Sequence, residues 1–390
     1  MSSSATHTKR PIVVIASLGM VTFGVVLTTL GASLPAVMTR YGIDKAEAGA
    51  LLALLNFGVL AGSLVFGPIV DRRGHRSLLV FAFATIIVGL EATAFAPSIS
   101  FLRGAVLLIG FSGGLLNGAV NALAADVGAE ERAATLTFVG GFFGVGAAGV
   151  PLVFAMLSNE SSSATVLAII APVIVIPLVL TVFTNFPPSK QPHGFPVAEV
   201  KRLLRDPVLL LMGFILFLQS GMESTIGGWT TTFFAEELSV RVERAPFYLS
   251  MFWLGLMLTR LTLGLVLRGT GSVRVMLVSI AVSLVSALAL VSTRSAAAGG
   301  VAVFLLGCGF AAIFPIVFGF VGDRYAHLSG TALSLVMAMA LAGGMLLPYI
   351  SGVLGGAQGM RWALLIVPVT LVLQATLLPT LSRATPTRTA

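Results

Sequence analysis

Residues 56–77 read NFGVLAGSLVFGPIVDRRGHRS. An apolar stretch rich in small residues runs into Asp71, Arg72, Arg73, His75 and Arg76, and a second apolar run follows at once. Two membrane-spanning helices joined by a cationic turn have this pattern, because basic residues collect in short loops on the cytoplasmic side. Gly67 lets a neighbouring helix approach, and Gly74 permits a tight turn. Asp71 can pair with Arg72 or Arg76, and such ion pairs can differ between two conformations. The plainer alternative is an ordinary positive-inside loop.

Composition extends this reading to the whole chain. Its 390 residues are 57% hydrophobic and only 10% charged, with a mean hydropathy of +1.02. So few charges cannot cover that much apolar surface in water, which excludes a soluble domain and points to a protein with many membrane spans. The net charge of +8 does not imply nucleic-acid binding. The Lys and Arg residues are scattered among short loops rather than gathered on one face, and an anionic lipid leaflet accounts for them. Cys308 is the single cysteine, so an internal disulfide is impossible, and there is no CxxC or finger pattern to hold a metal. Lys9 and Arg10 precede an apolar stretch too long for a cleaved signal, which reads as a retained first helix.

At about 20 residues per span, the apolar runs divide into twelve: 11–38, 47–70, 76–96, 99–125, 131–157, 163–186, 207–235, 244–267, 273–293, 296–322, 327–355 and 360–381. The one long polar connection, 187–206, separates six spans (1–186) from six (207–390), and its residues 197–205 can form an amphipathic helix on the membrane surface. With the termini and even-numbered loops inside, that side holds Lys and Arg in a two-to-one excess, so both ends are expected in the cytoplasm. Gly264-x-x-x-Arg268-Gly269-x-Gly271-x-x-Arg274 echoes the Gly67 loop after span eight, with Arg268 in place of the acid.

The Gly67-x-x-x-Asp71-Arg72-x-Gly74-x-Arg76 spacing and its degraded copy resemble the signature loop of the major facilitator superfamily of transporters. That resemblance implies an all-α membrane protein of twelve helices in two pseudo-symmetric six-helix bundles, working alone as a monomer. It further implies that spans one, four, seven and ten line a cavity, with two, five, eight and eleven as moving walls. Gly67, Asp71, Arg72, Gly74, Arg76, Asp126 and Arg132 would then form the inner gate.

Polar residues inside spans are costly against lipid and so mark interiors or cavities. Span seven carries Gln219 and Glu223 four apart, on one helical face, then Gly227-Gly228 and Trp229. Glu223 is the one acid deep in a cavity helix and the expected proton-coupling group; its structural alternative is pairing with Arg260 or capping a broken helix. Span four carries Asn117 and Asn121, again four apart, suited to sugar hydroxyls or, alternatively, to tying helices together. Asn56 in span two is a further amide of the same kind. Glu91, near one end of peripheral span three, reads as structural. Pro315 in span ten and Pro348 in span eleven each remove a backbone bond and permit bending.

Together Glu223-x(5)-Trp229, the span-ten run Gly307-Cys308-Gly309-Phe310-Ala311-Ala312-Ile313-Phe314-Pro315 and Gly343-Gly344-Met345-x-x-Pro348 resemble the fucose:proton symporter family and its glucose-transporting relatives. The resemblance implies hexose uptake coupled to a cation, with Asn56, Asn117, Asn121 and Gln219 gripping the sugar beside the aromatic rings of Trp229 and Phe314. The expectation is therefore a proton-coupled sugar carrier of a bacterial inner membrane, without a cofactor or metal. The alternative is efflux of hydrophobic or cationic compounds. Phe23, Phe142, Phe314 and Met345 favour it, as does Phe143–Pro151 (FGVGAAGVP), which is close to the drug antiporters' glycine-proline motif but lacks its Gly-Pro pair. An enzyme is not expected. His7, His75, His193 and His327 all fall in termini or loops, and no phosphate-cradling loop exists, so gradients must supply the energy.

Overall fold

The computed structural model describes residues 3–127, 132–157, 163–186 and 201–384. Among them are twelve helices long and apolar enough to cross a membrane: α1 (Arg10–Tyr41), α2 (Lys45–Val70), α3 (Arg72–Ala94), α4 (Ile99–Asp126), α5 (Phe138–Leu157), α6 (Ala164–Phe183), α7 (Pro207–Glu237), α8 (Pro246–Leu267), α9 (Ser272–Ser292), α10 (Ala296–Arg324), α11 (Gly330–Gln358) and α12 (Met360–Arg383). No strand occurs among the described residues. Each span expected from hydropathy corresponds to one of these helices. Most of the expected surface helix 197–205 falls outside the described residues.

The turn between α2 and α3 is made where the glycine predicted it. Gly74 has φ 76 and ψ 168, a conformation closed to side chains with a Cβ, and it separates two otherwise helical stretches. The close approach expected at Gly67 is not there: a Cβ on Gly67 would meet nothing within 4 Å. The contact is made earlier in α2 instead, because α4 carries its own glycines opposite those positions. A Cβ on Gly58 would lie 2.7 Å from the Leu107 carbonyl oxygen, and one on Gly62 would strike the Phe111 carbonyl.

The chain forms two compact units, Met1–Gly42 with Leu54–His193, and Ile43–Ala53 with Gly194–Ala390. In the first, α1 meets α5 through Gly24 and Gly146, while α2 meets α4 through Gly58, Gly62, Gly110 and Gly114. In the second, α7 meets α11 where Gly343 faces the Phe217 carbonyl, and α8 meets α10 through Gly255 and Gly307. Each unit thus uses the same pairs, six helices apart, with backbones drawn together at small residues. The start of α2 belongs to the second unit, where Lys45 Nζ lies 2.9 Å from Glu236 Oε2.

The bend expected at Pro315 is also present. Helix runs from Ala296 to Phe310 and resumes from Ile313 to Arg324. Pro315 has no N–H to give the carbonyl four residues back, so Ala311 is left needing another donor.

Candidate functional site

The polar centre of the second unit is assembled around the α10 break. Gln219 and Glu223, one turn apart on α7, face the same way, and Gln219 Nε2 donates to Glu223 Oε1 at 3.0 Å. Gln219 Nε2 also reaches the Phe310 carbonyl at 3.3 Å. From α8, Arg260 Nε donates at 3.4 Å to the Ala311 carbonyl, the group that Pro315 orphaned. The same guanidinium holds Nη2 3.7 Å from Glu223 Oε1. From α12, Gln374 Nε2 donates to the Ile215 carbonyl at 3.2 Å and approaches Gln219 Oε1 at 3.4 Å. Three helices therefore contribute side chains to one run of polar groups, Gln374–Gln219–Glu223–Arg260, and α10 adds two backbone carbonyls, in a unit where each would be costly alone.

Exposure divides this run in two. Gln219 and Gln374 are completely buried, whereas the side chains of Glu223 and Arg260 retain 16% and 32% of their surface. Of these four side chains, the acid and the arginine are the two that keep exposed surface. The amide of Gln219, expected to grip a sugar, is occupied within the protein. Trp229 is likewise fully buried, and its indole N–H donates to the Pro348 carbonyl at 2.9 Å. The stacking face expected of it is covered in this structure, because its neighbours are themselves closely packed: a Cβ on Gly352 would lie 2.9 Å from the ring. Phe314 is half-buried and stacks on Phe318 with centroids 4.9 Å apart.

In the first unit, Asn117 and Asn121 are both half-buried and joined, Asn121 Nδ2 donating to Asn117 Oδ1 at 2.9 Å and to its carbonyl at 2.8 Å. Asn56 is buried. At the charged turn, Asp126 has the buried imidazole of His75 at 3.8 Å, and the exposed Arg72 expected beside it makes no such pair. The reason is geometric: the Gly74 turn carries His75 inward and leaves Arg72 outside. Arg76 donates to the Val182 carbonyl, tying the turn to the end of α6. The side chains of Asp71 and Arg132 lie outside the described residues.

Two contributors escaped sequence reasoning. Gln374 is a lone amide in an otherwise apolar span, a signal that intramembrane polarity alone could have raised. His75 reads as a loop residue in the sequence, yet it is helical and buried directly after the Gly74 turn.

Twelve apolar helices in two glycine-paired units, with ionisable groups held mid-span, define a multi-pass membrane protein of the transporter kind. The chain belongs to the Major Facilitator Superfamily, whose family pattern matches residues 16–339. It is 24% identical over 374 residues to an uncharacterized transporter of Sinorhizobium fredii, covering 94% of this chain and 97% of that one. Among solved structures, it resembles the nucleoside transporter NupG (TM-score 0.79, 18% identity, 96% of this chain and 100% of that one). It also resembles a D-xylose-proton symporter (TM-score 0.80, 14% identity, 95% and 97%). At these identities the structures establish the shared fold.

Proposed function

We propose that the protein is a proton-coupled carrier that takes up a small polar solute by alternating access, with Glu223 as the coupling acid. The observation that carries this reading is the placement of Glu223: mid-helix in α7, partly open, with one amide donor and one cation beside the same oxygen. Protonation cancels its attraction to Arg260 and removes a charge from a low-dielectric interior, so proton occupancy changes which arrangement of the unit is favoured. Hydroxyl-bearing solutes such as sugars suit the half-buried pair Asn117 and Asn121, whose remaining donor and acceptor capacity fits such groups. The basic excess in loops supports a cytoplasmic location for both termini in a bacterial inner membrane.

The experiment is reconstitution into liposomes with a trapped pH dye, adding D-glucose, L-fucose or glucuronate outside. Solute-driven proton entry in the wild-type protein, absent in Glu223→Gln, supports the reading. Proton entry of equal size in that variant removes Glu223 from the coupling role, and solute movement without protons removes coupling altogether.

A further inference from the structure

The guanidinium of Arg260 is less well satisfied than its surroundings. Its Nε has the Ala311 carbonyl, but among the described residues the fork formed by its two outer nitrogens has only the Glu223 oxygen at 3.7 Å, beyond hydrogen-bond length. Glu223 meanwhile gives that same oxygen to Gln219 at 3.0 Å. The pair is therefore an attraction between neighbours rather than a formed bidentate clasp, although arginine and carboxylate geometries match for one. About a third of the Arg260 side chain is exposed. Exposure of a mid-span arginine to lipid is costly, so that third belongs to a water-accessible lining.

The remaining acids and bases of α7–α12, namely Glu236, Glu237, Arg274, Asp323, Arg324, Arg361 and Arg383, sit near the ends of their spans. The elements packed around the pair bring the amides of Gln219 and Gln374 and the carbonyls of Phe310 and Ala311. The weakly ionising Tyr248, Cys308 and Tyr349 complete the set for these six helices. A neutral hydroxyl can accept from one arm of the open fork but brings no counter-charge, whereas a carboxylate supplies two parallel acceptors and a negative charge.

We propose that Arg260 is the binding site for the carboxylate of an anionic solute, which takes the place that Glu223 gives up when it is protonated. This rests on the carrier reading above and names the solute's class: a small organic acid, with sugar acids included and neutral sugars excluded. The empty site is neutral as Glu223 carboxylate with Arg260 cation. The loaded site is neutral again as protonated Glu223, Arg260 cation and solute anion. Proton alone leaves an excess positive charge and solute alone an excess negative charge. Both mixed states are penalised in a low-dielectric interior, so one proton accompanies one carboxylate. The proton moves from water to a Glu223 oxygen, and no covalent bond of the solute changes.

The test uses matched pairs that differ in the acid group: glucuronate and glucose, lactate and 1,2-propanediol, benzoate and benzyl alcohol. Thermal unfolding of the purified full chain is followed with each, at mildly acid and mildly alkaline pH. At least one acid raises the melting temperature, more strongly at acid pH, while its neutral twin does not. Arg260→Gln weakens that acid at least about tenfold. Arg260→Lys, which keeps charge but not the fork, falls between. Glu223→Gln binds the acid equally at both pH values. Should Arg260→Gln fold poorly, the Glu223→Gln/Arg260→Gln double variant removes both charges together and must still lose the acid. The proposal is overturned if a neutral twin stabilises the protein as well as its acid, if Arg260→Gln binds the acid undiminished, or if no acid shifts the protein. Proton entry driven by glucose alike in wild type and Arg260→Gln would sink the anion site and leave the carrier standing. Arg260-dependent acid binding with accumulation that survives Glu223→Gln would do the reverse.

Discussion

Tyr325 donates its phenolic proton to Asp206 Oδ2 at 2.8 Å, joining the residue just after α10 to the residue that opens α7. Asp206 is also the N-cap of α7, its Oδ1 accepting from Val208 N at 2.8 Å and Leu209 N at 3.4 Å. One carboxylate therefore starts α7 and anchors the end of α10. Partial burial works to raise its pKa, but the Tyr325, Val208 and Leu209 hydrogen bonds and the nearby Arg324 outweigh that and hold it below the ordinary value. Burial, reinforced by the bond to Asp206, lifts the Tyr325 hydroxyl above its ordinary value.

These directions fix a pH dependence. A depressed acid stabilises the fold above its unfolded pKa of about 4, and that contribution fades as pH falls through the lower folded value. A raised tyrosine stabilises fully below about pH 10, and its contribution fades as pH climbs through the higher folded value. Asp206→Ala should cost about 1–2 kcal/mol at neutral pH. Melting temperatures followed against pH should show its deficit shrinking below about pH 4. Tyr325→Phe should cost about 1 kcal/mol and remove the alkaline limb.

Glu223→Gln retains an acceptor for the Gln219 amide but can carry no proton. Counterflow, which needs only binding and reorientation, should therefore persist while accumulation driven by an imposed pH gradient is lost. Both are measurable on one proteoliposome preparation. Parallel loss of both activities in well-folded protein would instead mark Glu223 as structural.

Glu237 and Arg361 tie α7 to α12 and α9. Glu237 Oε2 receives Arg361 Nε at 3.0 Å, and its Oε1 receives the backbone N–H groups of Met360 and Arg361 at 3.0 and 3.3 Å. Arg361 Nη1 reaches the Val291 and Thr293 carbonyls at 2.8 and 2.7 Å. Because the planar fork serves several acceptors at once, Arg361→Lys should lose most of what Arg361→Ala loses, about 2 kcal/mol or more for these charge-assisted bonds. Chemical or thermal unfolding of both variants checks this.

Glycine replacements should separate three roles. Gly343→Ala pushes a methyl into the Phe217 carbonyl and should lower the melting temperature sharply. Gly74→Ala meets no neighbour but must hold a positive φ, costing about 1–3 kcal/mol. Gly67→Ala has open space and should melt with the wild type. A destabilised Gly67→Ala protein would show that the close approach missing here occurs in another conformation.

Much of this was legible one helix at a time. Mean hydropathy and run length gave twelve spans, because a backbone in lipid must satisfy its own hydrogen bonds and about 20 apolar residues cross the hydrocarbon. A four-residue spacing put Gln219 beside Glu223 and Asn117 beside Asn121, and proline's missing N–H located the α10 break. What the chain could not show is which helix looks at which. A period of 3.6 assigns residues to a face without naming the face opposite. Only the tertiary structure brought Gln374 from α12 to Gln219, turned His75 toward Asp126 in place of Arg72, covered Trp229 with the Pro348 carbonyl and moved the α2 contact from Gly67 to Gly58 and Gly62. Helix pairing is decided by small residues on two surfaces meeting at once, and by an orphaned carbonyl such as that of Ala311 finding its donor 51 positions away. A linear sequence records each partner without recording the meeting.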